Sequence, residues 1–415
     1  MSALPVAAGY PRLTYLRIKN YRALRDVELH DLTPLTVFIG PNGSGKSTVL
    51  DALAFLAEAV SGNLQQGWEK RNRFAGMRTR GSEGPIEFEV EYFMSDELPR
   101  LRYKLSIDES RGSLYVFYES ITEPKAQLER IIELVDAQPA PQGYEQLFRI
   151  NIYERDGNTG YYNNPSNEPI LYSTLMFADE RSRKESAPKT FALNKALTSY
   201  RYIHLTDDHL KGYSDAGPRE KLSANGDNLP NVLYYLHEKH PETLARITAQ
   251  LRRWVPQLAD VVPEITSDER LLLRFKDAAF EKPLPAQYMS DGTMRLAALL
   301  TLLYEPNVTG LLGLEEPENE LHPRLLPRLA EELLKATETR QLLVATHSPF
   351  LLDALEPEQV WILHRGDDGY TQATRTADIP QVKELVEDGS PLGYLWTSNF
   401  FRLGDPLAPR ASAAQ

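Results

Sequence analysis

The chain has 415 residues, no cysteine and a formal net charge of -12. Lack of cysteine excludes disulfides, thiol catalysis and cysteine-based zinc sites and fits a reducing compartment. The acidic balance means that any contact with nucleic acid needs a local basic patch. An apolar content of 42% and a charged content of 25% are ordinary for a globular protein. No apolar run approaches membrane-span length and the N-terminus lacks the pattern of a signal peptide, so a cytoplasmic protein without membrane contact is expected. The length exceeds one ordinary domain and suits a large α/β head that carries an inserted lobe.

In chain order, strands are predicted at Leu13 to Ile18, Val27 to Leu32 and Leu35 to Ile39. The third runs into Gly40-Pro41-Asn42-Gly43-Ser44-Gly45-Lys46-Ser47-Thr48, after which Val49, Leu53, Leu56 and Val60 recur at helical spacing. A glycine-rich loop between a strand and a helix is the context that confirms a phosphate-loop motif. Successive backbone N–H groups and the positive helix end make a nest for β- and γ-phosphates, and glycine is needed because a Cβ would block close approach. Asn42 to Thr48 would bind the phosphates, with Lys46 reaching their oxygens and Ser47 ligating Mg²⁺. The plainer alternative, a Gly-Ser turn before an amphipathic helix, accounts for less of the pattern.

Between Trp68 and Arg80, Lys70, Arg71, Arg73, Arg78 and Arg80 face a single Glu69. This is one candidate nucleic-acid patch, and a solvated basic loop is the simpler reading. From Ile86 the period changes to two: Ile86, Phe88, Val90 and Tyr92 alternate with Glu87, Glu89 and Glu91, followed by runs at Leu101 to Ile107 and Leu114 to Ser120 around a turn at Asp108 to Gly112. This is an antiparallel meander with one wet face. Another hairpin is predicted where Leu147 to Glu154 meets the turn Asp156-Gly157-Asn158. Gly157 to Pro169 reads as an exposed loop, Leu229 to His240 and Glu242 to Trp254 as two helices divided at Pro241, and Pro406 to Gln415 as a fraying tail.

Further chemistry gathers late in the chain. Met289-Ser290-Asp291-Gly292-Thr293 precedes the apolar stretch Leu296 to Leu303 and would form the N-terminus of a buried helix, although Ser-Asp-Gly is also an ordinary capping turn. Gly310 to His322 places an apolar strand directly before Glu315 and Glu316. The first acid would stand on the metal side and the second would orient or deprotonate an attacking water. Another apolar strand, Leu342 to Ala345, ends at Thr346-His347-Ser348-Pro349, which puts His347 at the edge of an α/β sheet where ligands bind.

The order of these motifs resembles the ABC-type ATPases of the SMC, RecF and OLD kind, and most of all their compact relatives, often called predicted ATPases with an AAA-type core. The resemblance rests on Leu13 to Val60 and Gln287 to Leu363; the middle matches in layout only. It implies an α/β fold: an ABC-type P-loop NTPase head with an antiparallel β lobe and an inserted α-helical lobe. The head would comprise residues 1–184 and 281–405, the mainly helical insertion 185–280, and the tail 406–415. ATP and Mg²⁺ are the implied ligands, and a homodimer or higher homo-oligomer the implied assembly, in which Ser290, Asp291 and Gly292 of one subunit meet the γ-phosphate held by another. By the same resemblance Glu315 takes the Mg²⁺-side role, Glu316 and Lys46 catalytic roles, and His347 the switch role, with Pro317 to Leu321 in a loop linking the two sites.

There are departures from the pattern. Glu315 replaces the aspartate usual in transporters, and no glutamine loop is plain, with Gln65 and Gln66 only in a plausible interval. Neither a TOPRIM nuclease cluster nor a long coiled coil is evident, so nuclease activity in this chain is not expected. The leading expectation is an ATP-hydrolysing molecular switch that signals to a separate nuclease or toxin effector in anti-phage defence, or acts in DNA repair with possible DNA contact. The alternative is a non-hydrolysing ATP-bound scaffold that sequesters such a partner. A transporter subunit fits poorly, because the insertion between loop and signature is too long.

Overall fold

The structure, a computed structural model, describes residues 9–95, 100–110, 112–122, 132–135, 149–152, 188–215 and 217–405. It divides into two compact units, one of Met1–Tyr200, Glu358–Pro380 and Arg402–Gln415, the other of Arg201–Pro357 and Gln381–Phe401.

In the first unit a five-stranded antiparallel sheet runs in the order Leu24–Leu29, Arg12–Tyr21, Ile86–Phe93, Leu101–Ser110, Ser113–Thr122. The alternation read from sequence sets its two faces. Leu16 and Ile18 stand opposite Val90 and Phe88, which in turn face Tyr103 and Leu105, and all six are buried. On the other face Glu87 meets Lys104 at 3.4 Å, while Arg102 reaches Glu89 at 3.1 Å and Glu91 at 3.0 Å. These cross-strand pairs neutralise the acidic strand rather than leaving it to repel. The second strand begins three residues before its predicted start. Leu24 already pairs with Tyr21 across a tight turn in which Arg22 adopts φ 49°, and apolar periodicity does not register such a turn.

The buried strand Leu35–Ile39 pairs in parallel with Val360–Arg365, which continues antiparallel into Thr371–Arg375. This register brings residues 358–380 into the phosphate-loop unit. Helix Lys46–Glu58 follows the loop and passes through a π-helical turn, Ala59–Asn63, with Gly62 at φ 83°. Gln65 and Gln66 lie exposed on the next helix, Leu64–Lys70, where Gln65 bonds Glu69 at 2.8 Å.

The basic segment is not a loop. It forms Leu64–Lys70 and Arg73–Met77, and acids distant in sequence pair with it. Arg71 is buried against Asp51 and Glu58, Lys70 lies 3.2 Å from Glu58, and Arg78 lies 2.5 Å from Asp108. The window Trp68 to Arg80 contains only one of its acidic neighbours, so its cationic character was overstated. The segment Arg149–Ile152 is a strand, but it pairs with the earlier Ile132–Val135. The turn 156–158, the loop 157–169 and the tail 406–415 lie outside the described residues.

The second unit holds three parallel strands, Arg201–Ile203, Leu311–Glu315 and Gln341–Thr346, with Leu311–Glu315 in the middle. Its antiparallel sheet is built from Ser214–Asp215, Arg270–Asp277, Leu258–Ile265 and Leu284–Pro285. The segment expected to be mainly helical therefore adds a hairpin to helices Leu229–Lys239 and Pro241–Trp254, because Leu271, Leu273 and Phe275 bury one face of a strand. Buried helix Asp291–Leu303 and amphipathic Leu326–Ala336 complete the core. A fully buried Glu305 accepts from Arg201 and from the backbone N–H of Leu222, with Arg340 at 3.8 Å. Burial lowers the pKa of Arg340 to about 10, which leaves it charged near neutrality.

Candidate nucleotide site

The phosphate loop is shaped by contacts that glycine alone permits. A Cβ on Gly40 would collide with the Leu363 carbonyl, and one on Gly45 would stand 2.6 Å from Oγ1 of Thr371. Gly43 and Gly45 adopt φ 74° and 106°, in the region that disfavours side chains. Gly43 and Asn42 are exposed at the top of the loop, Ser44 is buried beneath them, and Ser47 and Thr48 open the following helix with Ser47 exposed. Lys46 is buried and folds back, its Nζ donating to the carbonyls of Gly40 at 2.8 Å and Pro41 at 3.1 Å. Two groups from the later hairpin hold the loop from beside: Arg365 donates to the Gly43 carbonyl at 2.7 Å and Thr371 to that of Ser44 at 2.8 Å.

These residues fit a phosphate chain. The hydroxyl of Ser44 is buried with no hydrogen-bond partner, an uncommon condition that a ligand oxygen would relieve. The loop offers a cation and a helix N-terminus beside a glycine cradle that a side chain would fill.

In the second unit Glu315 ends the central parallel strand. Its Oε2 accepts from the Tyr202 hydroxyl and lies 3.0 Å from Nδ1 of His204. Neither partner was singled out from sequence, because the strand that carries Tyr202 and ends just before His204, Arg201–Ile203, is too short to show a period. Glu316 adopts φ 44°, strained for a non-glycine residue by about 1–3 kcal/mol. Its neighbours over-determine that conformation: its N–H donates to Ala345 at 2.8 Å, and its carbonyl accepts from Asn319 N–H at 3.2 Å and from the buried Arg295 at 3.4 Å. The result aims the Glu316 carboxylate at His347, with Oε1 3.4 Å from Nε2, while Asn319 Nδ2 donates to Oε2 at 2.8 Å.

Ser290 caps the helix Asp291–Leu303, its Oγ accepting from Thr293 N–H at 3.2 Å. Asp291 pairs with Lys211 at 2.6 Å. Gly292 packs so closely that a Cβ would stand 2.5 Å from the Glu320 carbonyl. Arg295, one turn further along the same helix, holds the carbonyls of both Glu316 and Leu205. The signature and the paired glutamates are therefore joined by backbone packing and one buried guanidinium. Asn42 to Thr48 lie in the first unit, and Ser290, Asp291, Gly292, Glu315, Glu316 and His347 in the second. Sequence reading missed Asn319, Arg295 and Glu318; the last accepts from Thr346 and from the His347 amide. Among the described residues no cluster of three or more histidines and carboxylates could hold a metal alone. The Ser47 hydroxyl of the first unit and the Glu315 carboxylate of the second are each hard oxygen donors of the type Mg²⁺ takes. No helix among the described residues is long and apolar enough to cross a membrane.

The chain is similar to several known proteins. A family model described as "AAA domain, putative AbiEii toxin, Type IV TA system" matches residues 35–353. The Retron Vc95 probable ATPase of Vibrio cholerae serotype O1 biovar El Tor is 22% identical over 377 residues, covering 80% of this chain and 69% of that protein. An OLD nuclease of Thermus scotoductus is 35% identical over 80 residues, which cover 19% of this chain and 15% of the nuclease. The DNA replication and repair protein RecF of Acinetobacter baumannii is 51% identical over 49 residues, 12% of this chain and 14% of RecF. Those two similarities thus span only small fractions of the relatives' lengths. In fold, the crystal structure of an SMC head bound to the C-winged helix domain of ScpA superimposes with a TM-score of 0.54 at 13% identity, covering 87% of this chain and 97% of that one. With its phosphate loop, paired glutamates and α/β head, the chain belongs to this AAA-domain family, within the SMC/RecF/OLD-like group of ABC-type ATPases.

Proposed function

We propose that the chain is an ATP-hydrolysing switch. The observation that carries the reading is the contact of Glu316 with His347, made from a strained backbone that three hydrogen bonds hold in place. Strain maintained in this way belongs to a site where geometry matters more than local stability. Lys46, the Asn42 to Thr48 backbone and Ser44 hold the phosphate chain. Ser47 and Glu315 would hold Mg²⁺, which would supply charge neutralisation at the phosphates. Glu316 orients and deprotonates the attacking water, and His347 keeps the Glu316 carboxylate in line.

The signature Ser290, Asp291 and Gly292 is read as the surface by which a second copy completes the site. Closure then follows from differential affinity, since ATP stabilises only the arrangement in which both copies touch its γ-phosphate. The similarity to a retron ATPase, an OLD nuclease and RecF supports a role in defence or DNA repair. On this reading the closed state is what a separate effector protein recognises.

Steady-state ATP hydrolysis measured against protein concentration, beside Glu316→Gln, tests the reading. A rate per subunit that rises with concentration and drops by about 10²–10⁴-fold in the variant is expected. ATP-dependent dimers should accumulate in the variant. Tight ATP binding with no turnover in the wild type would instead identify a scaffold that sequesters its partner.

A further inference from the structure

We infer that Glu318 is a positioning residue that sets where His347 stands relative to Glu316. The inference rests on the hydrolytic reading above and adds to it a residue with no part in the phosphate-site chemistry.

Glu318 sits two residues after Glu316 on a turn closed by Asn319 N–H to Glu316 and Leu321 N–H to Glu318. Its Oε1 accepts from the Thr346 hydroxyl at 2.5 Å and from the His347 backbone N–H at 2.8 Å. The Thr346 hydroxyl in turn accepts from Ser348 N–H at 3.0 Å. An ionised carboxylate only accepts, so the direction of this relay is fixed: Ser348 N–H to Thr346 O–H to Glu318. The amides on both sides of the imidazole's attachment are thereby tied to one carboxylate. These amides lie where strand Gln341–Thr346 has ended and helix Pro349–Leu352 has yet to begin, so no regular secondary structure satisfies them. Thr346 is fully buried, which makes the anchor a firm one.

The turn carrying Glu318 also carries Glu316, whose carboxylate meets the His347 ring at 3.4 Å. Two carboxylates on one short turn therefore grip the same residue, Glu318 by its backbone and Glu316 by its side chain. Without the backbone grip the main chain at His347 loses its anchor to this turn, and a shift of about 1 Å abolishes the ring contact with Glu316. Misplacement of that size costs up to about 10²-fold in rate. The second oxygen of Glu318 is buried with no hydrogen-bond partner, so one accepting oxygen does all of this work and an amide oxygen can replace it.

The test is ATP hydrolysis by the full chain carrying Glu318→Ala, Glu318→Gln, Glu318→Asp, His347→Ala and the double substitution Glu318→Ala/His347→Ala. Glu318→Ala should lower kcat about 10–100-fold with KM for ATP changed less than about threefold. Glu318→Gln, which keeps the accepting oxygen, should hold at least about a third of the wild-type kcat. The double variant should be no slower than His347→Ala alone, because a residue that acts through another is non-additive with it. A purely structural role predicts additive losses and no rescue by glutamine, and either result overturns the inference. Should Glu318→Ala fail to fold, Glu318→Asp replaces it, since the shorter side chain cannot reach both donors. A slow aspartate variant beside an active glutamine variant then supports the inference, and an aspartate variant as fast as wild type overturns it. A wild-type chain that hydrolyses no ATP overturns the switch reading and this inference together. A wild-type chain that hydrolyses ATP, with an additive cycle, overturns this inference alone.

Discussion

The hydroxyl of Thr371 donates to the carbonyl of Ser44 at 2.8 Å, joining residues 327 positions apart. The same hydroxyl occupies the space that a side chain on Gly45 would need. Thr371 therefore fixes both the height of the loop and the identity of one of its glycines. Thr371→Val removes one buried hydrogen bond and leaves the Ser44 carbonyl unpaired, a cost of about 1–3 kcal/mol. Gly45→Ala should be worse, since it adds a Cβ at φ 106° against Thr371 and Leu24. We expect Thr371→Val to weaken ATP binding with the fold retained, Thr371→Ser to restore it, and Gly45→Ala to abolish binding. Calorimetric titration with ATP, with thermal unfolding alongside, checks all three.

The phosphate loop, the antiparallel meander and the strand before Glu315 are legible in the sequence because each rests on local pattern, either a motif or a period. The buttress around the loop is not, because Arg365 and Thr371 act from a hairpin more than 300 residues away whose only local signal is Asp368-Gly369 between β-prone runs. Arg71 was misread for a related reason. Its acids, Asp51 and Glu58, project from helix Lys46–Glu58, so a linear window shows a cation and misses the buried pair. Glu318 and Asn319 were visible in the motif as letters, but their partners depend on the φ of 44° at Glu316, which no propensity announces.

Tyr202 and His204 should govern how strongly the site depends on Mg²⁺. Both bear on Oε2 of the one carboxylate expected to serve the metal. Outer partners of this type orient the ligating group, and their loss typically costs about 10–100-fold in metal affinity. Tyr202→Phe removes the hydroxyl and keeps the ring. The Mg²⁺ concentration for half-maximal binding of a fluorescent ATP analogue should rise by roughly tenfold, with metal-free binding unchanged. An unchanged Mg²⁺ titration would show that Glu315 holds its orientation without the tyrosine.

His364 gives the fold a pH dependence of defined sign. It lies on strand Val360–Arg365 next to Leu363, whose carbonyl faces Gly40 of the phosphate loop. Burial lowers its pKa below the ordinary 6.5, and its Nδ1 has no hydrogen-bond partner to favour the charged ring. Between the lowered folded pKa and 6.5 the unfolded chain binds a proton that the folded chain does not, so stability rises with pH across that window. Read downwards, stability is fully present above 6.5 and is lost as pH falls toward the folded value. His364→Leu removes the titrating group and keeps an apolar side chain on a buried strand. Urea unfolding from about pH 7.5 to about pH 5.5 should show the wild type losing stability more steeply than the variant. Equal slopes would mean that the ring is solvated enough to titrate alike in both states. Because this strand pairs with the one leading into the phosphate loop, the same acidification should weaken ATP binding in the wild type before global unfolding begins, and His364→Leu should delay that loss.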